Sequence, residues 1–314
     1  MRRRYRGLVI TGLLFGLFLL GMAGAIATTG WSEVVSAFRN LGPDRIAILL
    51  GLSLAHYILR ATRWHLLARA AGLPTSLAQN FRHYFGCCAM TATPGRLGEL
   101  VRLRWIGRET GWPFHRAASF VLADRAVELA GIALLIALAV GLSNLGTDAA
   151  WPLIIVSLAL AWVFSRPGVL IWGVTLAWRI VGRWPRLFAR LRRMTAGLAP
   201  FTRPAVLVPT LAVSLAGWFI EGFACYALFG WLGVELDLWT AAAIFLTAVL
   251  SGALSGLPGG LGSTEAAMVA LLLLQGVPAE MALVATAVIR ATTLWFAVLI
   301  GMGVFPLAEA RARS

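Results

Sequence analysis

Apolar residues run through this chain in long stretches separated by short polar or glycine-rich ones. Six stretches, at about 7–28, 45–60, 115–142, 150–165, 205–231 and 279–305, carry few charges and approach the length that crosses a bilayer, so each predicts a transmembrane helix. Two further stretches, 77–108 and 238–276, are as apolar but interrupted. Pro94, Gly95 and Gly98 break the first, and Gly252, Gly256, Pro258, Gly259, Gly260 and Gly262 break the second. Each is too broken to be one spanning helix and too apolar to be an aqueous loop, which predicts a re-entrant hairpin of two half-helices. The expected fold class is therefore an all-α polytopic membrane protein of about six full transmembrane helices plus two re-entrant broken-helix hairpins.

Composition agrees with the pattern. Of 314 residues, 60% are hydrophobic and 13% charged, with a mean hydropathy of +0.83; soluble domains sit nearer half apolar and a quarter charged. Every one of the 27 basic residues is arginine, and the net charge is +14. The arginines cluster beside the apolar stretches, the mark of cytoplasmic loops facing anionic lipid rather than of a nucleic-acid surface. Arg2, Arg3, Arg4 and Arg6 precede the first stretch and Arg311 and Arg313 follow the last, so both termini are expected on the cytoplasmic side of a bacterial inner membrane. Arg39 and Arg45 are the misfits of this topology. The first stretch, with Ala25-Ile26-Ala27 after it, also has the shape of a signal peptide; its length favours an uncleaved helix. Residues 166–203, rich in Arg with Trp172, Trp178 and Trp184 interleaved, read as a cytoplasmic interfacial segment. Cys87, Cys88 and Cys225, and the four histidines, show no metal or disulfide spacing. His56, His65, His83 and His115 read as interfacial and the tryptophans as interface anchors. No cofactor, metal site or enzymatic nucleophile motif is expected.

The two interrupted stretches resemble each other. Pro94-Gly95-Arg96-Leu97-Gly98 is followed by Glu99, and Pro258-Gly259-Gly260-Leu261-Gly262 by Glu265 after a two-residue insertion. Gly111-x-Pro113 precedes Arg125, and Gly276-x-Pro278 precedes Arg290, at the same interval of 14 residues. The arginine topology makes residues 45–142 one repeat, with hairpin 77–108 entering from the cytoplasm. Residues 205–305 form a second repeat of opposite orientation, with hairpin 238–276. Paired broken helices in an inverted repeat point to a transporter's central site, because backbone groups freed at membrane depth must be buried in protein or line a wet cavity.

Charges inside the membrane are the remaining candidates. Arg125 lies within its span between Asp124 and Glu128, with Glu128 one turn along. Glu221 is alone at mid-span, Arg290 likewise lies at mid-span, and Glu265 opens the helix after the second glycine loop. Two readings stand side by side. These charges are internal ion pairs that join helices, with Glu99 and Glu265 serving as helix-start caps. Alternatively, Arg96, Glu99, Asp124, Arg125, Glu128, Glu221, Glu265 and Arg290 form a substrate path in which two buried guanidiniums beside glycine-rich helix ends receive a phosphate head group.

At Leu59-Arg60-Ala61-Thr62-Arg63-Trp64, Pro94–Glu99, Val121–Arg125 with Glu128, Trp218–Glu221, Leu257–Gly262 with Glu265, and Arg290, the sequence resembles the transmembrane-region family of lysylphosphatidylglycerol synthases, a group of flippase-like membrane proteins. The resemblance implies a lipid translocator without the aminoacyl-transfer domain, hence no enzyme activity of that kind. Its expected partners are membrane lipids, anionic or isoprenoid in type, with lipid-synthesis enzymes as further candidates. Two other classes stay open: an integral-membrane transferase on a lipid-linked substrate, and a non-catalytic partner of a lipid-synthesis complex, hopanoid-type included.

Overall fold

A computed structural model describes residues 31–91, 93, 97–143 and 197–312 and most of 151–192. The expected first span, 7–28, and Pro94, Gly95 and Arg96 lie outside the described residues. The described elements are helical throughout: α1 Trp31–Ala70, α2 Leu77–Cys88, α3 Leu97–Thr110, α4 Phe114–Leu142, α5 Pro167–Val181, α6 Pro204–Trp231, α7 Leu238–Leu254, α8 Ser263–Leu274, α9 Ala279–Arg290, a π-helical segment Ala291–Trp295, and α10 Phe296–Arg311. Among the described residues, four runs are long and apolar enough to cross a membrane, namely Arg39–Ala70, Arg116–Leu142, Pro204–Trp231 and Ala279–Arg311. These coincide with four of the six expected spans. The second reaches further than its apolar run suggested, so Arg60 and Arg63 lie inside a helix that closes on Arg69. Helix α1 bends at Gly42, whose positive φ of 79° precedes Pro43. Helix α5, at 15 residues, spans about 22 Å at 1.5 Å per residue, short of a hydrocarbon core of about 30 Å.

Both interrupted stretches fold as pairs of half-helices, α2–α3 and α7–α8. Their entry loops share two turn-closing bonds at a shift of 161 residues. In the first, Gly72 N–H donates to Arg69 O and Leu73 N–H to Ala68 O; in the second, Gly233 N–H donates to Gly230 O and Val234 N–H to Phe229 O. Gly72 and Gly233 both hold a positive φ, 71° and 77°, which is how a helix end satisfies its last carbonyls. Ser76 then caps α2 in a box with Gln79, and Asp237 caps α7 by accepting from Trp239 N and Thr240 N. At the exit, Gly111 and Gly276 have φ of 71° and 77°, and Pro113 and Pro278 start α4 and α9.

Packing repeats in the same way. Helix α1 lies along α6; α2 packs on α10 while α7 packs on α4; α3 contacts α4 as α8 contacts α9. Exchanging the two halves maps this set of contacts onto itself. In lipid, helices gain by close approach rather than by leaving water, and the contacts use small residues accordingly. A Cβ on Gly222 of α6 would stand 2.9 Å from the Ala242 Cβ of α7, and one on Gly301 of α10 would collide with the backbone at Cys88–Ala89. The apolar core runs through α4, α6, α7 and α9, with Ile132, Leu135, Leu228, Phe229, Leu246 and Val288 nearly or wholly shielded.

Candidate functional site

Thr91, Gly98 and Glu99 of the first hairpin and Gly252, Gly259 and Gly260 of the second line one cavity of about 180 Å³. At about 10–15 Å³ for one water centre, it admits on the order of ten waters or a small polar group. From the first half come Glu99, Arg125 and Glu128; from the second come Gly259, Gly260 and Arg290; Arg60 and Glu221 complete its charged wall. The glycines at the second break have a structural cause. Gly256, Gly259, Gly260 and Gly262 all take positive φ (71°, 58°, 66° and 82°), and a Cβ on Gly252 would strike the Thr264 hydroxyl.

Each half supplies one member of a matched arginine pair to the cavity and a glutamate that holds it, and Arg60 of α1 adds a third guanidinium. Arg125 Nε lies 2.9 Å from Glu99 Oε1, and Arg290 Nε 2.6 Å from Glu265 Oε1. Glu99 and Glu265 both stand in the first turn of the second half-helix. Arg290 also donates from Nη2 to Gly259 O at 2.9 Å, so one guanidinium satisfies a carbonyl that the break left free. Directly after Arg290 the helix widens to π geometry over Ala291–Trp295, and Tyr57 O–H donates to Thr293 O at 3.2 Å. Such bulges recur at functional sites.

The first half has a second layer that the sequence reading passed over. Glu128 accepts from three guanidiniums, Arg60 at 2.5 Å, Arg63 at 2.7 Å and Arg125 at 3.0 Å. The pairing of Arg125 with Glu128 on one helix face is therefore present. Asp124, fully shielded, takes Arg63 Nε at 3.0 Å and has Arg102 at 3.8 Å. It stands behind the cavity wall rather than on it, and Glu265 acts through Arg290 rather than as lining. Arg102 is completely buried, its guanidinium 3.6 Å from the Trp64 ring centre, and none of its nitrogens makes a hydrogen bond. Stacking on the indole face supplies part of what water would have given it.

Arg60, Arg63 and Arg102 look from the sequence like arginines of a cytoplasmic boundary. The available signal was Arg60–Arg63 at i, i+3 beside an apolar run whose face α1 continues. Two other expectations are corrected. His56 and His83 are buried, not interfacial: His56 Nδ1 lies 2.8 Å from Gly217 O, and His83 Nε2 lies 3.0 Å from Glu109. Burial holds the His83 imidazole below its ordinary range, against the pull of Glu109. Trp64 and Trp105 are fully shielded, with Trp105 Nε1 donating to Glu309 at 2.8 Å; Trp172 and Trp178 are exposed as anchors would be.

Comparison with known proteins follows the same outline. Three membrane proteins of Methanothermobacter thermautotrophicus, each called UPF0104 membrane protein, are similar to this chain. One is 26% identical over 94% of both chains, and another is 24% identical over 96% of this chain and 93% of its own length. A third is 35% identical over 37% of this chain and 36% of its own. The model of the family described as Lysylphosphatidylglycerol synthase TM region matches residues 8–301. A match of that extent, on a helical chain with spans long enough for a bilayer, means that this protein belongs to the Lysylphosphatidylglycerol synthase TM region family of membrane proteins.

Proposed function

We propose that this protein moves an amphipathic lipid with an anionic head group between the leaflets of the bacterial inner membrane, and that the head group passes through the cavity between the two hairpins. The observation that carries this reading is the matched pair of arginines, Arg125 and Arg290, each beside a broken helix and each lining the same cavity. Packing alone does not call for the same cavity-lining cation in both halves. The first turns of α3 and α8, through Gly98 and Thr264, also border the cavity, and helix starts favour anions. Glu99 and Glu265 hold the guanidiniums in place when no head group is present, and a phosphate takes over those hydrogen bonds as it arrives. The two halves are inverted repeats in the membrane, both termini are cytoplasmic, and the cargo leaves chemically unchanged.

The test is leaflet exchange of a fluorescent phosphatidylglycerol in proteoliposomes of phosphatidylcholine, compared among wild type, Arg125→Ala and Arg290→Ala. The expected result is exchange well above protein-free vesicles for wild type and a loss of at least tenfold in each variant. Equal exchange by all three would refute the head-group role of the arginines, and no exchange by wild type would refute the translocation itself.

A further inference from the structure

The carboxylates around the cavity divide into two kinds. Glu99, Asp124, Glu128 and Glu265 each lie within about 3 Å of a guanidinium. Glu221 does not. It sits on α6 at 2% exposure on the cavity wall, and neither of its oxygens makes a hydrogen bond; Ser53 is beside it, out of hydrogen-bond geometry. The titratable groups that face it are Tyr57 and Arg60 from α1 and Cys225 from its own helix, and Arg60 is engaged with Glu128 at 2.5 Å. Elsewhere on the cavity wall α1 presents His56, α2 Tyr84, Cys87 and Cys88, α3 Glu99, α4 Arg125 and Glu128, and α9 Arg290, whereas α7 presents Phe245, Val249, Gly252 and Ala253, none of which titrates. An ionised carboxylate buried without a partner is strongly unfavourable, and the group takes a proton instead.

Arg60 has a second place to go. Its guanidinium already lies over the Trp218 ring, 5.4 Å from the centre, and Trp218 is one turn before Glu221 on α6. Its Nε has no hydrogen-bond partner. Glu128 keeps Arg63 and Arg125 if Arg60 leaves. Arg60, Arg63, Arg102 and Arg125 face Glu99, Asp124 and Glu128, four positive charges against three negative. One more negative charge is accommodated at Arg60: either an anionic head group or the ionised Glu221.

We infer that Glu221 is a proton-binding site and that Arg60 couples it to the cargo, so that head-group anion and proton are taken up together. With the anion on Arg60, Glu221 keeps its proton. When the anion departs, Arg60 turns to Glu221, whose carboxyl releases the proton to the cavity water. By linkage the anion raises the proton affinity of Glu221 and the proton raises the affinity for the anion. An imposed proton gradient thereby drives the lipid in the direction of proton flow. The inference rests on the proposed function for its cargo but not for the proton site.

Two measurements separate them. The first needs no lipid movement: infrared spectra of the full chain in detergent near neutral pH, for wild type, Glu221→Gln and Glu221→Asp. A protonated-carboxyl C=O band is expected in wild type, lost in Glu221→Gln and present, shifted, in Glu221→Asp. A wild-type spectrum with no band that Glu221→Gln removes would overturn the proton site. The second uses proteoliposomes of phosphatidylcholine with fluorescent phosphatidylglycerol and an imposed pH gradient. Net accumulation of the lipid in one leaflet is expected for wild type, reversing with the gradient, and lost in Glu221→Gln. A gradient response that survives in Glu221→Gln would overturn the coupling. An infrared band without any lipid movement would overturn the cargo and the coupling alike, and leave the proton site standing.

Discussion

Replacing Arg63 by methionine keeps much of the side chain's apolar volume and removes its charge. The guanidinium is fully buried and donates to Asp124 at 3.0 Å, to Ser214 at 3.1 Å and to Glu128 at 2.7 Å. Glu128 retains Arg60 and Arg125, so the loss falls mainly on Asp124, which is also fully buried and whose second oxygen makes no hydrogen bond. A buried charge left without its partner costs about 3–5 kcal/mol. Arg102, 3.8 Å away, can close in, which puts the effect toward the lower end. At about 2 °C per kcal/mol, the melting midpoint in detergent, followed by tryptophan fluorescence, falls by about 6–8 °C. Asp124→Asn alone has a similar direction because it leaves Arg63 with Glu128 as its one carboxylate and takes from Arg102 the carboxylate 3.8 Å away. The double variant Arg63→Met/Asp124→Asn strands neither, and recovers about 1–3 kcal/mol relative to the sum of the singles. Additive single effects, or an Arg63→Met protein that melts like wild type, would refute the claim that this pair is one buried unit.

Gly301→Val drives a side chain into the backbone at Cys88–Ala89; overpacking costs about 1–3 kcal/mol, and trypsin cleavage near Arg82 should accelerate, whereas Gly303→Val, with open space around it, leaves digestion unchanged. Asp237→Ala removes the cap that accepts from Trp239 N and Thr240 N and lowers stability by about 1 kcal/mol, read as a melting shift of about 2 °C. Glu309→Ala frees Arg104 and Trp105, which meet its carboxylate at 2.5 and 2.8 Å. Hydrogen exchange over 97–110 should then rise while exchange over α7 stays as in wild type.

The sequence already carried the architecture at the places where backbone chemistry is local. Gly72, Gly111, Gly233 and Gly276 mark helix ends because no other residue takes their positive φ without strain, and the matched Gly-x-Pro steps fix where α4 and α9 begin. The hairpins are likewise readable from glycine and proline in an apolar stretch. What one-dimensional reading lost was the inner arginine layer. Arg60, Arg63 and Arg102 follow the positive-inside pattern in sequence, yet their partners, Asp124 and Glu128, stand some 20 to 70 residues away. Only the meeting of α1, α3 and α4 turns a boundary charge into a buried one. Trp64 reads as an interface anchor in sequence, yet its ring face is filled by Arg102 rather than by lipid.

The central claim is that the two hairpins build one head-group site, to which each half contributes a matched cation, Arg125 and Arg290, beside Arg60. Native mass spectrometry of the full chain released from nanodiscs of mixed phosphatidylcholine and phosphatidylglycerol measures this directly. The account predicts that wild type retains phosphatidylglycerol in preference to phosphatidylcholine and that Arg125→Ala and Arg290→Ala each lose that preference. Retention unaltered in both variants, or a preference lost in only one of them, would contradict a site shared by the two halves.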